Sequence, residues 1–169
     1  MRGKVKKPAL AAICAAVAVV ILVVGALLPT GRIAFAAVAG LATAAALIEC
    51  GYLYAVLEFI AAAVLALVLS PAKDGAVMFC LLFGWYPIVK SLVERLRSRA
   101  AEYLLKLVLI AIVFAAALLL VRLGVGGLVL PDKSLILIAA IVVIGFFAYD
   151  LCFSGLIGIY VRRVRERMK

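Results

Sequence analysis

Long apolar runs alternate with short polar breaks along the chain, and this pattern predicts membrane-spanning helices. Most runs approach the roughly 20 residues that a helix needs to cross about 30 Å of hydrocarbon. We therefore expect an all-α integral membrane protein, a bundle of six transmembrane helices in which residues 1–169 form one transmembrane domain. The predicted helices cover approximately 8–28, 33–48, 52–69, 75–93, 103–121 and 135–160.

Turn-forming residues mark most boundaries between the runs. Pro29-Thr30-Gly31 follows the first run, residues 70–74 the third and residues 124–133 the fifth. Residues 33–69 are almost continuously apolar and would span about 55 Å as a helix, which is too long for one crossing. Only Glu49-Cys50-Gly51-Tyr52 combines a charge, a glycine and an interfacial aromatic there. We predict a tight turn at this point, and a re-entrant second segment is the alternative.

The basic residues divide unequally between the two sides of the predicted bundle. Six crossings place both termini on one side, and short cytoplasmic loops are the ones enriched in Lys and Arg. Only Arg32, Lys73, Arg122 and Lys133 of the 18 basic residues then lie outside. The N-terminus and C-terminus are therefore predicted to be cytoplasmic. The basic residues assigned to the cytoplasmic side are Arg2, Lys4, Lys6, Lys7, Lys90, Arg95, Arg97, Arg99, Lys106, Arg162, Arg163, Arg165, Arg167 and Lys169.

The fourth run changes character after Gly84-Trp85-Tyr86-Pro87 and becomes an amphipathic extension that reaches residue 99. Pro87 cannot donate a backbone hydrogen bond and crowds the carbonyl of Phe83, so we expect a kink there. Two interpretations remain open for the extension. It is either a docking surface for a partner or a solvated helix end that links two spans.

Composition excludes several classes of protein. Apolar residues make up 70% of the chain, so the net charge of +10 indicates topology and contact with anionic membrane lipid rather than nucleic acid. Histidine is absent, and the four cysteines contain no close pair. We therefore expect no metal, no cofactor and no enzymatic activity.

Charged residues within the apolar runs are the strongest candidates for function, because burying them in a membrane is costly. Glu58 and Asp150 lie in the third and sixth runs, and Lys90 near the inner end of the fourth could reach one of them. Arg32 belongs to the outer turns that a ligand would meet first. We predict Glu58, Asp150, Lys90 and Arg32 as ligand-binding or relay residues. A buried structural ion pair, or a protonated acid bonded to backbone or tyrosine, is the alternative.

Small residues at four-residue spacing form stripes on the first two helices. Such stripes allow close helix packing in a membrane, either within the bundle or against a partner protein. The candidate docking residues are Ala11, Ala15, Ala12, Ala16, Ala36, Gly40 and Ala44.

The size, the six helices, the cytoplasmic termini and the alanine-rich first helix resemble the substrate-binding S component of energy-coupling factor transporters. Ala11-x-x-x-Ala15 and Ala12-x-x-x-Ala16 match the AxxxA docking pattern of that family. The resemblance implies capture of a vitamin-like small molecule near the outer face of a bacterial inner membrane. It also implies docking to a transmembrane coupling subunit attached to ATPases. The first turn, Pro29–Arg32, is shorter than the capping loop that often occupies this place in the family.

Two other classes stay open. A non-catalytic scaffold or assembly subunit of a cell-envelope complex would use the same alanine faces and need no ligand. An ion-coupled or proton-coupled secondary transporter would use Glu58 and Asp150 as a relay, although the chain shows no clear inverted repeat. The sequence identifies neither the ligand nor the partner.

Overall fold

The computed structural model of the protein describes residues 2–93, 99–122 and 135–160. All regular secondary structure in these ranges is helical. Most of the amphipathic extension, the turn around residues 124–133 and the basic segment after Tyr160 lie outside the described residues. The α-helices are α1 Arg2–Leu27, α2 Arg32–Cys50, α3 Tyr52–Leu69, α4 Lys73–Met78, α5 Tyr86–Val93, α6 Arg99–Arg122 and α7 Leu135–Tyr160, with a π-helical stretch over Phe79–Phe83.

The chain folds as two compact units. The first unit, Met1–Val129, contains α1 to α6, and the second, Leu130–Lys169, contains α7. The expectation of one transmembrane domain over residues 1–169 remains a prediction.

Hydropathy located the helices closely. The third and sixth predicted helices coincide with α3 and α7, and the second and fifth extend by a few residues at their ends. Helices extend past the apolar runs because backbone hydrogen bonding continues into polar residues that hydropathy leaves out. Within the described ranges, four stretches are long and apolar enough to cross a membrane: Lys6–Leu27, Arg32–Cys50, Tyr52–Leu69 and Lys73–Val93. Two shorter apolar helices cover Leu105–Leu119 and Val142–Gly158.

Two side-chain hydrogen bonds show that α1, α2, α3 and the stretch that ends in α5 alternate in direction. The Cys50 thiol at the end of α2 donates to the Lys7 carbonyl near the start of α1, over 3.3 Å. At the same end, the Tyr52 hydroxyl of α3 lies 3.0 Å from the Ser91 hydroxyl of α5. We call this the Lys7 end of the unit. The opposite end, the Arg32 end, holds the turns before α2 and α4.

The turn between α2 and α3 consists of a single residue, Gly51. Its φ of 94° and ψ of 177° belong to a region that is open to glycine and strained for other residues. Cys50 and Tyr52 on either side are already helical. The tight turn predicted within Glu49–Tyr52 is confirmed.

The Lys73 side chain caps the C-terminus of α3 at the Arg32 end. The Lys73 ammonium donates to the carbonyls of Leu67 at 2.6 Å and Ser70 at 2.7 Å, at the C-terminus of α3. A cation at this position satisfies carbonyls that have no helical partner and complements the helix dipole. Lys73, assigned to an outer turn by sequence, therefore holds the end of α3.

Candidate functional site at Glu58

Glu58 is a carboxylate buried inside an apolar helix. It lies six residues after the start of α3, about 9 Å from the Lys7 end at 1.5 Å per residue. Only 2% of the residue is exposed, and neither carboxylate oxygen has a hydrogen-bond partner among the described residues. Buried polar atoms without partners are rare in proteins and require an explanation.

Two further polar side chains face Glu58 from neighbouring helices. Thr43 of α2 is fully buried, and its hydroxyl faces the carboxylate without meeting hydrogen-bond geometry. Cys14 of α1 is a free cysteine that interacts electrostatically with Glu58, Cys50 and Glu49. Glu58 and Thr43 therefore form a polar pair between α3 and α2, which we call the Glu58 cluster.

Small residues allow α1, α2 and α3 to approach one another around this cluster. Contact between apolar side chains gives helices little net attraction in lipid, so close packing depends on small side chains that bring the backbones together. Alanine supplies nearly every buried position nearby, and Gly40 supplies another. The buried alanines include Ala11, Ala15, Ala18, Ala36, Ala39, Ala44, Ala55 and Ala62.

The fourth apolar stretch is interrupted in its middle. Between α4 and α5 the backbone widens into the π-helical turn, in which the Gly84 amide donates to the Phe79 carbonyl over 2.8 Å. The Trp85 indole N–H donates to the Leu81 carbonyl, also over 2.8 Å. Pro87 lies in the first turn of α5 and has no backbone N–H to donate. Backbone hydrogen bonding therefore already changes at Phe79, before Pro87, and the kink at Pro87 stays a prediction.

This break lies against α3 next to Glu58. A Cβ at Gly84 would come within 2.5 Å of two ring carbons of Phe59, the residue after Glu58. The Phe59 and Phe79 rings also pack with their centroids 5.9 Å apart. The π-helical stretch therefore contacts α3 at the residue after Glu58, at the same level as the Glu58 cluster.

The other predicted ligand-binding residues have surroundings of their own. The Lys90 ammonium is buried 5.8 Å above the centre of the Tyr86 ring and donates no hydrogen bond to Glu58. Asp150, in the second unit, is also buried, and its backbone carbonyl accepts a hydrogen bond from the Ser154 hydroxyl over 2.8 Å.

Arg32 forms an interhelical contact at its end of the unit. Its guanidinium donates to the Asp74 carboxylate of α4 over 3.2 Å and to the Leu28 carbonyl after α1 over 3.0 Å. Asp74 also complements the dipole of α4, because it lies in the first turn. The structure therefore gives Arg32 a linking role between three helix ends.

The predicted docking alanines divide into two groups. The stripe of Ala36, Gly40 and Ala44 is buried, and so are Ala11 and Ala15. Their packing is internal. Ala12 and Ala16 are exposed on the outer face of α1, where they remain candidates for docking.

Sequence analysis missed Thr43, although a signal was present. Thr43 is the only hydroxyl in α2 and lies three residues after Gly40, on the face of the small-residue stripe. A polar side chain on the face predicted to pack inward is a candidate for an intramembrane site.

An open apolar groove of about 230 Å³ lies between α5 and α6, with Trp85 in its wall, and none of its lining residues is charged. The lining residues are Trp85, Val89, Leu105, Val108, Leu109 and Ile112.

The cluster offers little to a transition metal. Within the described ranges, no group of three or more His, Cys, Asp and Glu side chains is arranged to hold a metal ion. Comparisons of the chain with protein families, with curated proteins and with solved structures found no match.

Proposed function

We propose that this chain is the substrate-binding membrane subunit of an uptake system for a vitamin-like small molecule. It would lie in the bacterial cytoplasmic membrane as a multi-pass protein with both termini cytoplasmic, and would dock to a coupling subunit and its ATPases. The observation that carries the proposal is the interrupted fourth stretch packed beside the unpartnered Glu58. Ionisable residues within membrane spans mark candidate functional sites, and π-helical turns inside α-helices occur frequently at functional sites.

The surroundings of the break suit a small ligand. Glu58 and Thr43 offer polar contacts on the α3 side, and the groove lined by Trp85 offers apolar contacts on the other side. Ligand sites in proteins combine mainly apolar walls with a few polar groups that fix orientation. A volume of about 230 Å³ would hold one ring or short chain of a ligand rather than a whole vitamin.

The exposed alanines supply a surface for the coupling subunit. Ala12 and Ala16 are one turn apart on the outer face of α1, so a partner helix could approach the backbone there. This face also favours the second candidate, a non-catalytic scaffold in a cell-envelope complex. A scaffold would need the same surface and no ligand.

Native mass spectrometry of protein extracted gently from its own host tests the proposal. We expect a bound adduct of vitamin size in the wild type and in the control variant Glu49→Gln, and loss of that adduct in Glu58→Gln. Glu49 lies on α2 near the Lys7 end and is a matched carboxylate outside the cluster. No adduct, together with co-purifying proteins that include no coupling subunit or ATPase, would reject uptake and favour the scaffold.

Leucine variants of the alanines test docking in the same preparations. Ala12→Leu and Ala16→Leu should release co-purifying subunits while leaving the fold intact. Ala15→Leu is the matched comparison, since it adds bulk at a buried site and should instead destabilise the bundle. If both Ala12→Leu and Ala16→Leu retain every co-purifying subunit, this face of α1 is not the docking surface.

A further inference from the structure

We infer that Glu58 and Thr43 bind a monovalent cation between α2 and α3. This inference rests on the proposed function, because it takes the same level of the bundle as the ligand site. Three oxygens converge here from two helices: both carboxylate oxygens of Glu58 and the hydroxyl of Thr43. All three are buried, and none has a hydrogen-bond partner among the described residues. Leaving such groups unsatisfied costs about 1–3 kcal/mol each, and more when they are charged.

The charge at the site selects the charge of its ligand. No described basic side chain donates a hydrogen bond to either Glu58 oxygen. Lys73 binds the end of α3, Arg32 binds Asp74, and the Lys90 ammonium lies over the Tyr86 ring. A single positive charge would neutralise one carboxylate. A divalent ion would leave one uncompensated charge in an apolar interior, which is strongly unfavourable.

The donor atoms of the site select a hard cation. The buried residues of α2 and α3 around them are mainly alanine, so Glu58 and Thr43 supply the oxygen donors of the cluster. Oxygen donors suit hard cations, whereas thiols suit soft transition metals. The three oxygens therefore match an alkali ion such as Na⁺ or Li⁺ better than an ion that would require the Cys14 thiol.

The test measures binding of the ion without any organic ligand. Detergent-purified protein is unfolded thermally while NaCl replaces choline chloride at constant ionic strength, with KCl and LiCl as further arms. An ion that binds only the folded state raises the unfolding midpoint in a saturable manner. Fluorescence of Trp85, the only tryptophan in the chain, reports on the break beside the site.

Matched variants locate the effect. We expect a saturable rise of the midpoint with Na⁺ in the wild type, in Glu49→Gln and in Thr43→Ser. Glu58→Gln and Thr43→Val should lose the rise, because each removes an oxygen ligand or its charge at nearly constant shape. If Glu58→Gln does not fold, Thr43→Val compared with Thr43→Ser decides the role of the hydroxyl.

Equal midpoints for the wild type in sodium, lithium, potassium and choline salts would overturn the inference and leave a protonated Glu58. A sodium effect that persists in both Glu58→Gln and Thr43→Val would overturn it as well. The result is separable from the proposed function. A sodium response without a vitamin-sized adduct keeps the cation site and removes uptake, whereas an adduct without a sodium response does the reverse.

Discussion

At Gly84 the fourth apolar stretch touches α3 so closely that no side chain fits between them. The nearest atoms belong to the Phe59 and Phe79 rings, which pack against each other and fill the space around the glycine. Gly51 is constrained differently. A Cβ there would meet nothing within 4 Å, but its positive φ disfavours any other residue. One glycine is required by packing and the other by backbone conformation.

Gly84→Ala should destabilise the protein by about 1–3 kcal/mol, because its Cβ would overlap the Phe59 ring. The measurement is thermal or denaturant unfolding in detergent. Gly145→Ala is the control, since a Cβ at Gly145 in α7 would meet nothing within 4 Å and alanine favours helix by up to about 1 kcal/mol. Combining Gly84→Ala with Phe59→Leu should recover part of the loss. Equal stability of both alanine variants would contradict the close contact.

At the scale of the element, the break in the fourth stretch depends on a side chain that replaces a backbone donor. In an apolar surrounding each peptide group needs a partner within the protein. The Trp85 indole gives one to the Leu81 carbonyl, and Gly84 gives one to Phe79. The break is thereby satisfied locally, which explains how an irregular segment can lie within an otherwise apolar helix.

Trp85→Phe should cost about 1–3 kcal/mol of stability, because it removes the indole donor and leaves the Leu81 carbonyl unpaired while keeping an aromatic ring. Unfolding followed by circular dichroism measures the change, since this variant has no tryptophan fluorescence. Leu105→Ile, on the facing wall of the groove, controls for altered packing around Trp85. A loss no larger than that of the control would mean that the carbonyl finds another donor.

Over the whole molecule, the alternating directions of α1, α2 and α3 place Lys7 and Thr30 at opposite ends of the first unit. Both residues are exposed. The hydrogen bonds of Cys50 and Tyr52 define the Lys7 end, and those of Arg32 with Leu28 and Asp74 define the other. If the apolar stretches cross a membrane as proposed, these two ends face opposite compartments.

Thr30→Cys and Lys7→Cys in a cysteine-free background test this orientation. An impermeant maleimide should label Thr30→Cys on intact cells, and should label Lys7→Cys only after the membrane is permeabilised. The expectation follows from the excess of basic residues predicted on the cytoplasmic side. Reversed labelling would place the N-terminus outside, and labelling of both from outside would show that α1 does not cross.

Much of the fold could be predicted because hydropathy and turn residues act locally. The bounds of α3 and α7 follow from where apolar runs begin and end. The turn at Gly51 follows from the one place in residues 33–69 that combines a charge, a glycine and an interfacial aromatic. The candidate site was predicted in part. Glu58 was identified by the cost of a charge in an apolar helix, whereas Thr43 was missed because a hydroxyl carries a weaker hydropathy signal.

The sequence by itself determined the all-helical architecture, the approximate helix bounds and the position of the tightest turn, since each depends on neighbouring residues. Only the tertiary structure decided which alanines face inward, that Arg32 pairs with Asp74, and that the break at Phe79–Phe83 meets α3 beside Glu58. These features depend on the rotation of each helix about its axis. In an almost uniformly apolar chain, hydropathy fixes that rotation weakly, and close packing of small residues fixes it instead.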